Sequence, residues 1–255
     1  MRRIRLIVEY DGTNYSGWQR QLNAMSVQER LEQAIRRLTG EGDLYVVGAS
    51  RTDAGVHAIG QNAHFDTGSR IPADKFCYAL NTLLPDDIRV RASMRVNERF
   101  HARFSAKGKE YRYCFHNSPH ASAIYRNLSA HVMYPLDEVL MNNEAQSAVG
   151  THDFAPFAAS GSVVKDTVRT IDRVRVFRTG EEVEMRVHGN GFLYNMVRIL
   201  AGTLIGVGTG KLASGAIARA LESGSRLDLG VTAPACGLTL MKVDYDENLY
   251  LEPET

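Results

Sequence analysis

The side chains with the most chemical potential in this chain lie in Arg51-Thr52-Asp53-Ala54-Gly55-Val56-His57-Ala58. This stretch separates two segments that read as strands, so Asp53 is expected at a loop tip held by a hairpin, a common place for catalytic groups. A carboxylate there can serve as nucleophile or base while it stays ionised, and a guanidinium two residues away favours that form. In an extended chain Arg51 and Asp53 leave the same face. Gly55 permits a tight turn or a close approach to a ligand. The same letters also fit an Asx-type turn in a surface hairpin with an incidental ion pair, and residue types alone do not separate the two readings.

Two further residues invite chemistry. Tyr111 sits in Lys109-Glu110-Tyr111-Arg112-Tyr113, where a ring on a strand among basic residues can stack on a nucleobase. It also shares a strand face with Tyr113 and Phe115, as a core tyrosine would. Arg198 is embedded in Phe192-Leu193-Tyr194-Asn195-Met196-Val197-Arg198-Ile199-Leu200. A cation so placed needs a partner, because an unpaired buried charge is costly; Asp53, a phosphate or a structural salt bridge would each serve. Gly206-Val207-Gly208-Thr209-Gly210-Lys211 imitates a phosphate loop, but Ile205 stands where the first glycine belongs and Leu212 where Ser or Thr should follow. His116 and His120 have helical spacing, yet Ser118-Pro119 between them spoils a helix and no third metal ligand is evident. Neither a metal nor a nucleotide cofactor is expected.

The elements that must position these residues read as follows. Ile4, Leu6, Val8 and Tyr10 alternate as a strand that Asp11-Gly12 breaks. Ser26 with Glu29 opens a helix in capping-box fashion; Leu31, Ala34, Ile35 and Leu38 form its apolar stripe, and Gly40 stops it. Leu44 to Ala49 and then Gln61, Ala63 and Phe65 read as strands, Pro72 leads a second helix through Leu83, and Ile88 to Met94 is a fourth strand. This β-α-β-β-α-β order is the split ferredoxin-like unit. The second half repeats it with insertions: a strand around Tyr111 to Phe115, a helix over 137–149, paired strands Val168–Phe177 and Val183–His188, an apolar helix Gly191–Gly206, a short helix near Ala213–Glu222 and a closing strand from Leu238. The expected fold is α+β, with ferredoxin-like subdomains over 1–105 and 106–255. No Gly/Pro linker separates them, which argues for one shared, mainly antiparallel sheet with helices packed on it.

Composition narrows the class. With 255 residues, 44% hydrophobic and 23% charged, the chain can bury a substantial core and is not a disordered tail. Cys77, Cys114 and Cys236 lie far apart and make no CxxC, which suits a reducing cytoplasm. The N-terminus lacks the apolar run of a signal peptide, and no stretch reads as a membrane span. Net charge is +1, but 244–255 holds five acids and no Lys or Arg, leaving the remainder at about +6. Between Arg95 and Arg112 six basic residues outnumber two acids and are interleaved with Phe100, Phe104 and Tyr111. That pattern fits a polyanion surface with stacking groups, although charge alone favours a solvated strand-loop-strand.

The chain closely resembles the tRNA pseudouridine synthase A (TruA) family. The resemblance rests on Gly48-Ala49-Ser50-Arg51-Thr52-Asp53-Ala54-Gly55-Val56-His57-Ala58 together with Tyr10-Asp11-Gly12-Thr13-Asn14-Tyr15-Ser16-Gly17-Trp18-Gln19. It extends through Phe100-His101-Ala102-Arg103-Phe104-Ser105-Ala106, Gly191 to Arg198 and Ala233-Pro234-Ala235-Cys236-Gly237-Leu238. It implies two ferredoxin-like halves with a cleft between them, a homodimer, no cofactor, and conversion of uridine to pseudouridine at positions 38, 39 and 40 of the tRNA anticodon stem-loop. Residue by residue, it implies that Asp53 is the essential aspartate and Arg51 the basic residue of its loop. Tyr111 would pack against the target base, Arg198 would lie near the carboxylate, and Leu238 would line the pocket. Such a reaction breaks a glycosidic bond and rejoins the base through C5, consuming nothing external, and the uridine must first be flipped from its stack. Two rivals remain at this level. A non-catalytic RNA-binding protein on the same fold would not need Asp53, and a small-molecule hydrolase would turn over without RNA.

Overall fold

The computed structural model describes residues 1–159 and 164–249. The chain divides into two compact units, Met1–Lys107 with Leu240–Thr255, and Gly108–Thr239. The fold class is α+β with a mixed, mostly antiparallel sheet. Among the described residues no helix is long and apolar enough to cross a membrane.

The first unit contains β1 (Arg2–Tyr10), α1 (Val27–Thr39), β2 (Val47–Gly48), β3 (His57–Thr67), α2 (Phe76–Asn81) and β4 (Ile88–Val96). β1 pairs antiparallel with both β3 and β4, and β2 adds to β3, giving the order β4-β1-β3-β2 of the split ferredoxin-like unit. The alternation read in β1 has a direct cause. Ile4, Leu6 and Val8 are fully buried on one face, as are Leu31 and Ile35 of α1 and Phe76 and Leu80 of α2. Phe65 of β3 meets Phe76 edge-on at 5.5 Å. α1 begins where Ser26 Oγ accepts from the Glu29 N–H, and it ends where Gly40, at φ 75°, donates to the Arg36 carbonyl.

The second strand is shorter than Leu44–Ala49. Only Val47 and Gly48 join the ladder, because side chains of α1 take the backbone groups just before them. Arg36 donates to Leu44 O, Gln28 donates to Val46 O, and Glu32 accepts from Val46 N. With those groups satisfied from the helix, strand pairing offers them nothing.

The opposite face of β1 is also covered. Arg5 is buried, donates to Asn62 Oδ1 at 2.6 Å, and lies over the rings of Phe100 (5.6 Å) and Tyr245 (4.9 Å). The cation is thereby held between an amide oxygen and aromatic faces, which makes its burial tolerable.

The second unit contains β5 (Gly108–Asn117), β6 (Ala130–Val132), α3 (Glu138–Gln146), β7 (Gly150–Asp153), β8 (Val168–Thr179), β9 (Glu182–Gly189), α4 (Met196–Gly208) and α5 (Ala216–Ser223). Its strand order is β5-β9-β8-β7, with β6 parallel to β5. β6 and β7 are additions to the expected element order; Gly150-Thr151-His152-Asp153 has no apolar alternation to mark it as a strand. β8 and β9 form the expected hairpin, with Gly180 at φ 62° in its turn. α4 starts five residues later than Gly191. Asn195 takes φ 60°, and a left-handed residue cannot sit inside a right-handed helix. The last strand, β10 (Leu238–Asp244), leaves the second unit after Thr239 and ends in the first. Of the acidic tail, Asp244 pairs with Lys242 and Asp246 with Lys107, while Glu252 and Glu254 lie outside the described residues.

Candidate active site

Asp53 opens a tight turn. The Val56 N–H donates to its carbonyl at 3.1 Å, and Gly55 takes φ 77°, the left-handed value a type II turn needs at its third residue. The loop after β1 fastens this turn from outside. Trp18 N donates to Thr52 O at 3.0 Å, Gly55 N donates to Tyr15 O at 3.3 Å, and the Tyr10 and Thr52 hydroxyls meet at 2.7 Å. Gly12 N donates to His57 Nδ1 at 3.0 Å. Gly17, at φ 87°, lies so close that a Cβ would overlap the Thr52 carbonyl oxygen. On the approach to the loop, Gln61 grips Ser50 through both amide atoms, donating to its carbonyl and accepting from its N–H. The backbone that carries Asp53 is therefore held on several sides, while its side chain is half-buried. Preorganisation of this kind is what a reacting carboxylate requires.

Arg51 is exposed and makes no ion pair or hydrogen bond among the described residues. A guanidinium in that state can reach a phosphate without first losing a partner.

Tyr111, Arg198 and Leu238 are carried by β5, α4 and the start of β10. Tyr111 is 8% exposed, and its ring meets Phe192 edge-on at 5.2 Å. Arg198 lies in the first turn of α4. Its Nε donates to Ala233 O and its Nη1 to Asn195 Oδ1, both at 2.8 Å, while Ala233 N returns a bond to Arg198 O. Asn195 does not cap the helix it precedes; its side chain holds the arginine instead. Leu238 is buried and follows the short 3-10 segment Ala235–Gly237. That segment is tied to β5 by the Tyr113 hydroxyl, which donates to Pro234 O at 2.7 Å. Burial pushes the Tyr113 phenol well above its ordinary range, so it stays a donor.

Residues 6–105 and 145–246 match the family model described as tRNA pseudouridine synthase. The chain belongs to that family. Asp53, Arg51, Arg198 and Leu238 fall inside the matched stretches, and Tyr111 falls between them. A protein named tRNA pseudouridine synthase A from Ruminiclostridium cellulolyticum is 54% identical over 246 residues, covering 96% of this chain and 100% of that one. Proteins of the same name from Acetivibrio thermocellus (52% identity, 96% and 100% covered) and Bacillus licheniformis (46%, 96% and 99%) are similar over the same extent. An archaeal box H/ACA sRNP Nop10–Cbf5 complex contains a chain related at TM-score 0.40 and 12% identity, covering 92% of this chain and 46% of that one, too distant a likeness to bear on the reaction. Family membership makes the chain an isomerase of uridine in tRNA.

The residues that sequence reasoning missed are those that hold others in place: Gln61 on Ser50, and Asn195 and Ala233 on Arg198. Asn195 had one legible signal, since Asn is among the few residues that tolerate left-handed backbone.

Proposed function

We propose that this family member converts uridine to pseudouridine at positions 38, 39 and 40 of the tRNA anticodon stem-loop, with Asp53 as nucleophile or base. The observation that carries the reading is the turn at Asp53, whose backbone is fastened by Trp18, Tyr15 and the close approach of Gly17. A half-buried carboxylate on so rigid a support resembles a reacting group more than an incidental surface turn.

The reaction breaks the bond between C1′ and N1, rotates the freed base, and joins C5 to C1′. Three steps suit a carboxylate: attack on C1′, addition to C6, or removal of the C2′ proton. Each needs the ionised form and a uridine drawn out of its stack. In this reading Arg51, exposed beside the loop, takes the backbone phosphate or the vacated space. The ring of Tyr111 packs on the base, Leu238 provides apolar lining, and Arg198 holds the carboxylate charge. The protein works as a homodimer in the cytoplasm without a cofactor, as its resemblance to the family implies.

The test is tritium release from tRNA labelled at uridine C5. Wild type should release tritium, and Asp53→Asn should bind tRNA within a few-fold of wild type yet lose turnover by at least a thousandfold. Substantial turnover in Asp53→Asn would remove Asp53 from the chemistry.

A further inference from the structure

Of the three aromatics interleaved with the basic run, two are buried: Phe100 is 0% and Tyr111 8% exposed. Phe104 is the exception at 78%. Its loop is not loose. From Phe100 to Ser105 every backbone N–H is used. Phe100 N donates to Asn97 O, His101 N to Ser105 Oγ, Ala102 N to His64 Nδ1, and Ser105 N to His101 O. Arg103 N and Phe104 N both donate to His101 Nδ1. The Tyr245 hydroxyl donates to Ala102 O from the other end of the unit's sequence.

Three rings pack in series, the first contact edge-on with 64° between planes. His64 meets His101 at 5.0 Å, and His101 stacks on Phe104 at 4.3 Å with 28° between planes. Burial first, then the Arg3 and Arg103 charges, lower the His101 pKa and favour the neutral imidazole. The series thus ends in an open phenyl ring on a fixed backbone. Arg103 lies 5.7 Å from its centroid, and Arg99 is exposed on the same loop. Neither guanidinium has a carboxylate partner among the described residues, in contrast to Lys107, which pairs with Asp246. An open ring with two unneutralised cations suits a partner that offers aromatic faces and phosphates together.

We propose that Phe104 is a stacking platform for an unpaired base of the tRNA other than the reacting uridine, with Arg99 and Arg103 on the neighbouring phosphates. This rests on the reading that tRNA is the substrate. The platform contributes to holding the RNA and takes no part in bond making.

The experiment measures binding of an unmodified tRNA transcript to wild type, Phe104→Ala, Phe104→Leu and Phe104→Trp. Ala and Leu should weaken affinity about tenfold, and Trp should keep it within about threefold, because stacking needs a π face and not merely apolar bulk. The turnover number at saturating tRNA should stay at the wild-type value in all three. Phe104→Trp also supplies a reporter, since the only native tryptophan, Trp18, is buried; its emission should quench on adding tRNA. Arg103→Ala should lower the slope of log affinity against log salt by about one, and Phe104→Ala should leave it unchanged.

Wild-type affinity in both Ala and Leu variants would overturn the proposal. So would loss of self-association in those variants with RNA binding intact, which would make Phe104 a contact between copies. A wild type that binds tRNA through Phe104 but releases no tritium would overturn the isomerase reading and leave the platform supported.

Discussion

Arg198 illustrates how much a single residue's surroundings matter. Its place in an apolar helix made a partner necessary, and that need was legible in the sequence. The partners were not. Ala233 is distant in the chain, and Asn195 contributes because its backbone has left the helical region. Two oxygens fix the plane of the guanidinium, and a fixed plane is what directs its charge. On the proposed role of Arg198, Asn195→Gly should separate positioning from strain, since glycine keeps the left-handed backbone and removes only the acceptor. Turnover should fall about tenfold with KM for tRNA nearly unchanged and stability within about 1 kcal/mol. Asn195→Asp, which restores an acceptor, should recover most of the rate. A stability loss with unaltered turnover would assign Asn195 to folding alone.

At the scale of elements, local signals located helices and strands well where capping and period decide them. α1 begins and ends at the residues its caps predict. Signals failed where a distant side chain intervened, as when Arg36, Gln28 and Glu32 occupy the backbone of Leu44 and Val46 and shorten β2. The Phe100–Ser105 loop shows the same dependence. It is held by His64 on β3, whose Nδ1 must be unprotonated to accept from Ala102 N. Burial, with the Arg3 charge nearby, lowers His64 to about 4 from an ordinary 6.5. Between those values the unfolded chain binds a proton that the folded chain does not. Stability from this group is therefore full above pH 6.5, is lost as pH falls toward 4, and changes no further below it. The loss is at most about 3 kcal/mol. Urea unfolding at pH 7 and pH 4.5 should show it, and His64→Gln, a neutral acceptor, should flatten that limb. An equal pH dependence in the variant would place the proton elsewhere.

For the whole molecule, a net charge of +1 conceals a cationic body, because five of the acids lie in 244–255. The structure neutralises part of the basic run through Lys107 and leaves Arg99 and Arg103 without carboxylate partners among the described residues. Affinity for tRNA should then fall at least tenfold between about 50 and 200 mM salt, read by filter binding. Salt-independent binding would show that phosphate contacts do not carry it. Sedimentation on the same samples should give twice the chain mass if the proposed homodimer forms.

The sequence by itself determined the family, the element order of the first unit and the loop that bears Asp53. These depend on residue identity, short spacing and caps, which neighbouring residues specify together. Only the tertiary structure decided which aromatics face solvent, where β2 begins, and what holds Arg198 and Ser50. Those outcomes depend on atoms brought together from distant parts of the chain. The loop between β4 and β5 buries Phe100 and leaves Phe104 exposed, a choice made by packing of Phe100 against Arg5, His64 and Tyr245 and written in no local pattern.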